Sequence, residues 1–480
     1  MSSNISNELK EYIDKLNTII DNIIIKLKNI KDNISLNSNI CKISILDIKE
    51  IINENDINEQ FKGIMNIYDK INSKIDYNNY IIAEIDIKEK DLNKDIRIIN
   101  SYEEYKRKNR IWRENENELN NEKEIMDKCI IQINNKIIPF SYFSKFTKIG
   151  KVQIKYLFKD KLKKSDCIFS ECESFTYLNL YNFNTEMANN MSDMFRGCKS
   201  LLNINLNLSK FNTQNVKSMC GMFSGCESLK NINLSKFNTE NVTDMSGMFR
   251  GCKSLTNINL SNFKTHNVTS MNSMFNECKT LTNLNLSNFN TQNLNEMCYM
   301  FYKCESLSNI NLSSFNTSKV KDMDHLFTFC KSLTSIDLSN FNTQNITDMA
   351  EMFRGCESLT NINLSNFNTK NVKCMSWMFN GCRSLKTINL SNFNTEAVED
   401  MYIMFGECSS LTNIDLSNFN TKNVKNMKDM FWACSSLTNL NLSNFSTQNI
   451  TDMKDMLGAC RSLKKENVIT KDNKILNLLV

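Results

Sequence analysis

Twelve cysteines recur along the chain at a spacing that could support sulfur chemistry. They lie 26 residues apart, except for a step of 28 between Cys198 and Cys226. A series of this kind could form disulfides, bind metal ions or remain as thiols. The series consists of Cys172, Cys198, Cys226, Cys252, Cys278, Cys304, Cys330, Cys356, Cys382, Cys408, Cys434 and Cys460.

The surroundings of these cysteines favour free thiols. Stacked at one position of a repeat they would lie about 5 Å apart, so distance alone does not exclude disulfides. Free cysteine is, however, among the most frequently buried residue types. No C-x-x-C pair occurs, and His266 and His325 are the only histidines. We therefore predict a buried column of thiols, and neither a metal nor a cofactor.

Motifs for catalysis are missing from the sequence. It contains no G-x-G-x-x-G, G-x-x-x-x-G-K-[ST], H-E-x-x-H or G-x-S-x-G. A thiol and an imidazole such as Cys298 and His325 could meet only because neighbouring repeats stack. We therefore predict that the protein is not an enzyme.

The 26-residue unit has two halves with different periods. In the unit that begins at Cys252, Leu255, Ile258 and Leu260 follow the L-x-x-L-x-L spacing, and their alternation predicts a short strand. Asn occupies most of the strand positions between the apolar residues, and we expect these side chains on the outer face of a sheet. A single unit cannot bury its apolar residues alone, so the units must stack as a solenoid.

The second half of the same unit favours a short helix. Val268, Met271, Met274 and Phe275 fall at i, i+3, i+6 and i+7, which places them on one side of a helix. The predicted fold is thus an α/β solenoid, a leucine-rich-repeat array with one strand and one short helix in each repeat.

The repeat pattern L-T-N-I-N-L-S-N-F-N-T…N-V-x-x-M-x-x-M-F-x-G-C over residues 166–470 resembles that of the BspA-like leucine-rich-repeat proteins. The same repeats occur in Mycoplasma-type lipoproteins. The resemblance implies a strand-plus-helix solenoid that serves adhesion or other protein–protein contact.

Two regions precede the repeats. In residues 1–78 apolar side chains follow heptad spacing from Leu9 to Ile34 and again from Ile57 to Ile75, which predicts coiled-coil helices. These helices could fold back as a hairpin, or form a homodimer through residues 5–78. Alternating apolar residues predict that 79–165 is a small β-rich domain that caps the solenoid.

The solenoid itself is predicted over residues 166–463, and residues 464–480 depart from the repeat and form a C-terminal cap. The net charge of +5 over 480 residues gives no reason to expect nucleic acid as a partner. Neither a signal peptide nor a transmembrane run is evident. We therefore expect a cytoplasmic protein, with the cell surface as the alternative.

Differences between repeats point to a candidate partner-binding patch. Aromatic residues and a histidine replace small or polar residues at a few positions of the predicted helices. They could fill space between repeats, or they could form a contact surface, since aromatic residues are enriched in binding hot spots. The candidates are Tyr299, Tyr302, His325, Phe329, Trp377, Tyr402 and Trp432.

These features favour a non-enzymatic interaction module or scaffold that binds a protein partner through the solenoid surface. One alternative is a cell-surface or exported adhesin of the BspA-like type. Another is a self-assembling structural protein. The sequence leaves open which face of the solenoid binds.

Overall fold

A computed structural model describes residues 78–109, 121–206 and 210–478 of the chain. These ranges comprise the repeats and the segments on either side of them. The predicted coiled-coil region, and the homodimer that it could form, lie outside the described residues apart from Asn78.

The repeats form a β-solenoid of about 11 turns, with one 26-residue repeat in each turn. Neighbouring turns pair through short parallel strands in a register that equals the repeat length, as for Leu284 opposite Ile310. The strands are β7 Phe175–Asn179, β8 Asn203–Asn205, β9 Asn283–Asn285, β10 Asn309–Asn311, β11 Ser335–Asp337, β12 Asn361–Asn363, β13 Asn413–Asp415 and β14 Asn439–Asn441.

The second half of each coil is not a helix, so the α/β prediction is wrong. In this turn segment the amides alternate between two kinds of hydrogen bond. Ser273 N and Phe275 N donate to the carbonyls of Cys298 and Met300 in the next coil, both at 2.9 Å, whereas Asn276 N donates back to Ser273 O at 3.1 Å. Half of the amides therefore hold neighbouring coils together, which an α-helix could not do because it uses them internally.

Backbone dihedral angles explain why the helical spacing was misleading. Two residues in each turn segment have left-handed φ, for example Ser273 at 57° and Glu277 at 60°, and a right-handed helix cannot pass through such residues. Met271, Met274 and Phe275 are nevertheless fully buried. Their spacing identified the inward-facing residues, but a series of tight turns produces the same inward face.

The core of the solenoid consists of columns in which one side chain repeats from coil to coil. Phe249 stacks on Phe275 with ring centroids 5.7 Å apart, and Phe275 on Phe301 at 6.0 Å. The repeat cysteines are free and buried. From Cys198 onwards each thiol donates to a carbonyl of the coil before it, as when Cys278 Sγ donates to the carbonyl of Phe249 at 3.1 Å. Cysteine thus fills a small apolar site and also satisfies a buried acceptor.

A buried threonine column links the coils at a second position. Thr291 Oγ1 accepts from the amide of Asn316 at 2.7 Å and donates to the carbonyl of the same residue at 3.0 Å. One hydroxyl therefore satisfies both backbone groups of a residue in the next coil. The column continues through Thr185, Thr213, Thr239, Thr265, Thr317, Thr343, Thr369, Thr395 and Thr421.

Residues 78–158 contribute strands that extend the first coil. The six-stranded sheet has the order β4-β3-β6-β1-β7-β8, and β1 is antiparallel to both β6 and β7. The edge of the first repeat strand is thereby paired. The strands added to the sheet are β1 Tyr80–Ile87, β3 Cys129–Ile133, β4 Lys136–Ile138 and β6 Gly150–Phe158. Between them in the chain lie a two-stranded pair, β2 Ile96–Arg97 with β5 Phe143–Ser144, and the helices α1 Tyr102–Asn109 and α2 Glu122–Lys128.

The last coil is closed by residues that imitate a further repeat. Strand β15, Val468–Ile469, pairs in parallel with β14. The carboxylate of Asp472 accepts from Thr447 N at 2.9 Å and from Thr447 Oγ1 at 2.7 Å, so it ends the threonine column. Ile475, in the short helix α3 Asn473–Leu476, is fully buried.

Replacing Thr291 by Val should destabilise the solenoid by about 2 kcal/mol, because the amide and carbonyl of Asn316 then lose their buried partner. Thr291→Ser, which retains the hydroxyl, is the matched control and should lose much less stability. Urea denaturation followed by circular dichroism measures both. Equal losses for the two variants would show that the methyl group, and not the hydroxyl, matters at this position.

A buried acid lies where the first coil meets α2. Asp166 is 1 % exposed, and neither carboxyl oxygen has a hydrogen-bond partner. The backbone there is held by Asn121, whose Nδ2 donates to the Asp166 carbonyl at 2.6 Å. Burial raises the pKa of the Asp166 carboxyl to about 8. The folded protein therefore keeps this carboxyl protonated at pH values where the unfolded chain ionises it.

Because the pKa is raised in the folded state, the stability contributed by Asp166 is present at low pH and is lost as pH rises towards 8, by about 1.4 kcal/mol for each pH unit. Asp166→Asn should remove this loss. We expect the variant to match the wild type near pH 4 and to exceed its stability by about 5 kcal/mol at pH 8, as that slope gives over roughly four pH units. Urea titrations across this range measure the difference. The exposed Asp95→Asn is the control, and parallel pH profiles for Asp166→Asn and wild type would refute the prediction.

Candidate binding surface on the turn segments

All seven residues of the predicted patch lie on the turn segments, on one side of the solenoid. Six of them are half-buried, and Trp432 is 41 % exposed. We call Tyr299, Tyr302, His325, Phe329, Trp377, Tyr402 and Trp432 the aromatic patch.

The first four members form a single cluster across two coils. The Tyr299 ring stacks on the His325 ring at a centroid distance of 4.3 Å. Tyr302 contacts Tyr299 at 5.6 Å, His325 at 6.2 Å and Phe329 at 6.2 Å. The four rings support one another and are therefore held in fixed positions.

Two cations continue this cluster along the solenoid. The guanidinium of Arg354 lies 5.4 Å from the ring centroid of Phe329 and 4.1 Å from that of Trp377. Trp377 meets Tyr402 edge-on at 5.2 Å, and Lys428 Nζ lies 5.9 Å from the Tyr402 ring. Such cation–π contacts add attraction beyond packing. Six of the predicted residues thus form one row of contacts across successive coils.

Trp432 lies apart from this row. Within the described residues no ring contact joins it to the other six. Its indole packs over Gly458 in the next coil, where an added Cβ would approach Trp432 Cδ1 to 3.1 Å. The structure therefore brings together six of the predicted residues and leaves the seventh as a separate exposed aromatic side chain.

Several aromatic side chains occupy left-handed backbone positions. Tyr299, His325 and Trp377 have φ of 57°, 55° and 60°. In two other coils the equivalent position is Gly221 or Gly247, which adopts this conformation without strain, and elsewhere it is a non-glycine residue such as Ser273 or Glu351, also with left-handed φ. Bulky residues in this region cost about 1 kcal/mol or more each. The left-handed backbone is present in every turn segment, so these coils differ from the others in the size of the side chain and not in the backbone.

His325 carries a positive charge in the centre of the row. Its Nδ1 lies 2.9 Å from Asp324 Oδ2, and its Nε2 lies 3.3 Å from Glu351 Oε1. Burial lowers the pKa of His325, but the hydrogen bonds to the two carboxylates outweigh burial and raise the pKa to about 9. Glu351 also pairs with Arg354 at 2.8 Å. The surface therefore presents fixed charges of both signs beside the aromatic rings.

Sequence reasoning missed the charged members of this surface, namely Asp324, Glu351 and Arg354. A signal was present for one of them, because Arg354 occupies the repeat position that holds Tyr302 and Trp432 in other coils. The carboxylates gave no such signal. Their part depends on the contact between neighbouring coils, which a single repeat does not reveal.

The strand face of the solenoid is polar. Asn283 and Asn285 on β9 are exposed, as expected for the strand positions between apolar residues. The Asn285 side chain turns back on its own coil, where Oδ1 accepts from Ser287 N at 3.0 Å. Asn439 Nδ2 instead donates to Asn413 Oδ1 in the preceding coil at 2.5 Å. This face repeats with little variation, whereas the turn face differs from coil to coil.

The parallel strands, the turn segments and the columns between them define a β-solenoid repeat protein. The sequence matches the family described as Mycoplasma protein of unknown function, DUF285, over residues 163–284, 254–361, 279–387 and 355–471. Together these matches extend from 163 to 471, more than half of the chain, and the protein therefore belongs to this family. No curated protein matches the chain. The finer resemblance to BspA-like leucine-rich-repeat proteins stays a prediction.

Proposed function

We propose that the protein is a non-enzymatic scaffold that binds a protein partner through the aromatic patch. The observation that supports this proposal best is the row of contacts from Tyr299 through Arg354 to Tyr402. The row interrupts an otherwise regular solenoid on consecutive coils, and it uses the residue types that dominate binding hot spots, namely Tyr, Trp and Arg.

The geometry suits tight contact with a folded surface. The rings are partly buried and fixed by their neighbours, so a partner that docks on them has little side-chain freedom to remove. The paired charges of His325, Glu351 and Arg354 lie beside the rings and would favour a partner with complementary charges. A fixed apolar centre with charged groups around it is typical of protein–protein interfaces.

The two alternative functions differ in location and in the surface used. An exported adhesin could use the same patch on a cell surface. A self-assembling structural protein would need a free end or face for its own copies, but the edge of the first repeat strand is paired with β1 and Asp472 ends the threonine column. These closed ends favour a scaffold over end-to-end assembly.

Replacing Tyr299 and Tyr302 together by Ala should weaken binding of the partner about tenfold or more, because both rings support the cluster. Partners are first identified by crosslinking in the producing cells, and the affinity of each purified partner is then measured by calorimetry. Tyr181→Ala is the matched control, since Tyr181 is an exposed tyrosine outside the patch. Unchanged affinity in the double variant, with its fold intact by circular dichroism, would refute the proposed surface.

Location distinguishes the scaffold from the adhesin. None of the helices in the described parts of the chain has the length and hydropathy that a bilayer crossing requires. The cytoplasmic location expected from the sequence stays a prediction, and protease treatment of intact producing cells tests it. We expect the chain to survive until the cells are lysed. Its removal from intact cells, with a cytosolic marker preserved, would instead support the adhesin.

A further inference from the structure

Beside the aromatic patch, three side chains with metal-binding atoms converge between two coils. Cys298 belongs to one coil, and Asp322 and Asp324 belong to the next. The thiol sulfur and one oxygen from each carboxylate all lie within 4.8 Å of one another. All three residues are half-buried, so the donors are partly shielded from water yet accessible to an ion.

The backbone ladder between coils is interrupted at this place. A parallel bridge joins successive coils from Lys164 to Glu296, and again from Asp322 to Asp452. Within the described residues no such bridge forms between Glu296 and Asp322. The next inter-coil bond, from Tyr299 N to Asp324 O, measures 3.2 Å. The two coils that carry the donors are therefore joined by fewer backbone hydrogen bonds here than elsewhere.

One oxygen of the cluster lacks a partner. Asp324 Oδ2 is paired with His325, but Asp324 Oδ1 is buried without a hydrogen bond. A buried carboxylate oxygen in this state costs free energy unless a cation or a donor reaches it. The same carboxylate lies against Cys298 and Asp322, so a cation held by the three side chains would supply the partner that Oδ1 lacks.

We propose that Cys298, Asp322 and Asp324 bind a divalent transition-metal ion of the Zn²⁺ type. Thiolate and carboxylate are both established zinc ligands, with Zn–S of about 2.3 Å and Zn–O of about 2.0–2.2 Å. Tetrahedral ligands at these distances lie about 3.5 Å apart, so small side-chain rotations bring the three donors into range. Water completes the coordination. Binding releases the thiol proton of Cys298 to solvent.

Charge balance agrees with a divalent ion. A thiolate and two carboxylates carry three negative charges, which a divalent cation reduces to one. The site adjoins the proposed partner surface, because Asp324 contacts His325 of the aromatic patch, but metal binding can be measured on the isolated protein without a partner.

The chain contains an internal comparison. Cys220 occupies the same repeat position as Cys298 and is also half-buried. In the following coil Asp244 corresponds to Asp322, but Ser246 stands where Asp324 would be. Cys220 therefore has one carboxylate in place of two, and we expect it not to bind the ion.

Cobalt titration of the chelator-treated protein tests the site, because Co²⁺ bound to a thiolate gives a near-ultraviolet charge-transfer band. All variants carry Cys41→Ser, which removes the one cysteine outside the described residues. We expect one equivalent of Co²⁺ to produce the band and excess Zn²⁺ to abolish it. Cys298→Ser should lose the band, and Asp324→Asn should weaken the affinity about tenfold or more.

Cys220→Ser is the matched control and should retain the full band. If Cys298→Ser fails to fold, as judged by circular dichroism, Asp322→Asn provides the second test, with the thiol intact and weaker Co²⁺ affinity expected. A band of full intensity in Cys298→Ser overturns the proposal. So does the lack of any band at millimolar Co²⁺, and so does weak binding that every variant shares equally. None of these outcomes bears on the aromatic patch as a partner surface.

Discussion

The hydrogen bonding between successive coils is the constraint on which the structure depends. A coil has no helix and only a three-residue strand in which to satisfy its backbone, so most of its amides and carbonyls must find partners in the coils beside it or in its own tight turns. The alternation in the turn segments meets this requirement at every second amide. The threonine and cysteine columns meet it where backbone partners are missing. The places of the bonding residues in the repeat are therefore fixed, because a shift of one residue would break all of these bonds together. The one 28-residue step, between Cys198 and Cys226, preserves both columns.

This constraint also explains where variation is tolerated. Residues whose side chains point into the coil stack cannot change without disturbing both neighbours, and they scarcely differ along the array. Side chains on the turn face point outward and take part in no column. The aromatic patch arises there, on coils in which Tyr299, His325 and Trp377 take a position that in most other repeats holds a small or polar residue. The regular interior thus supports an exterior in which each coil can carry a different side chain.

The sequence predicted the repeat, its length and the buried residues, because all of these depend on residue types at fixed positions. Of the seven residues predicted for the aromatic patch, six lie in one row of contacts and Trp432 lies apart, and the role of the patch stays a prediction. It did not predict the backbone of the turn segment. Val268, Met271 and Phe275 have helical spacing, yet left-handed residues such as Ser273 redirect the chain, and neither Ser nor Glu is typical of such a conformation. The pairing of His325 with Glu351 was also missed, since it joins residues that are 26 positions apart.

The way in which the array ends has a consequence for its length. Interior coils present the same threonine and cysteine bonding groups to the coils on either side, and Asp472 supplies to the Thr447 hydroxyl the acceptor that a further coil would supply. Whole coils can therefore be added or removed between Thr185 and Thr447 without altering either terminus. The distance between the aromatic patch and the N-terminal strands then changes by about 4.8 Å for each coil, which is the spacing between neighbouring strands. Gene duplication in units of 26 codons could change that reach while leaving the fold intact.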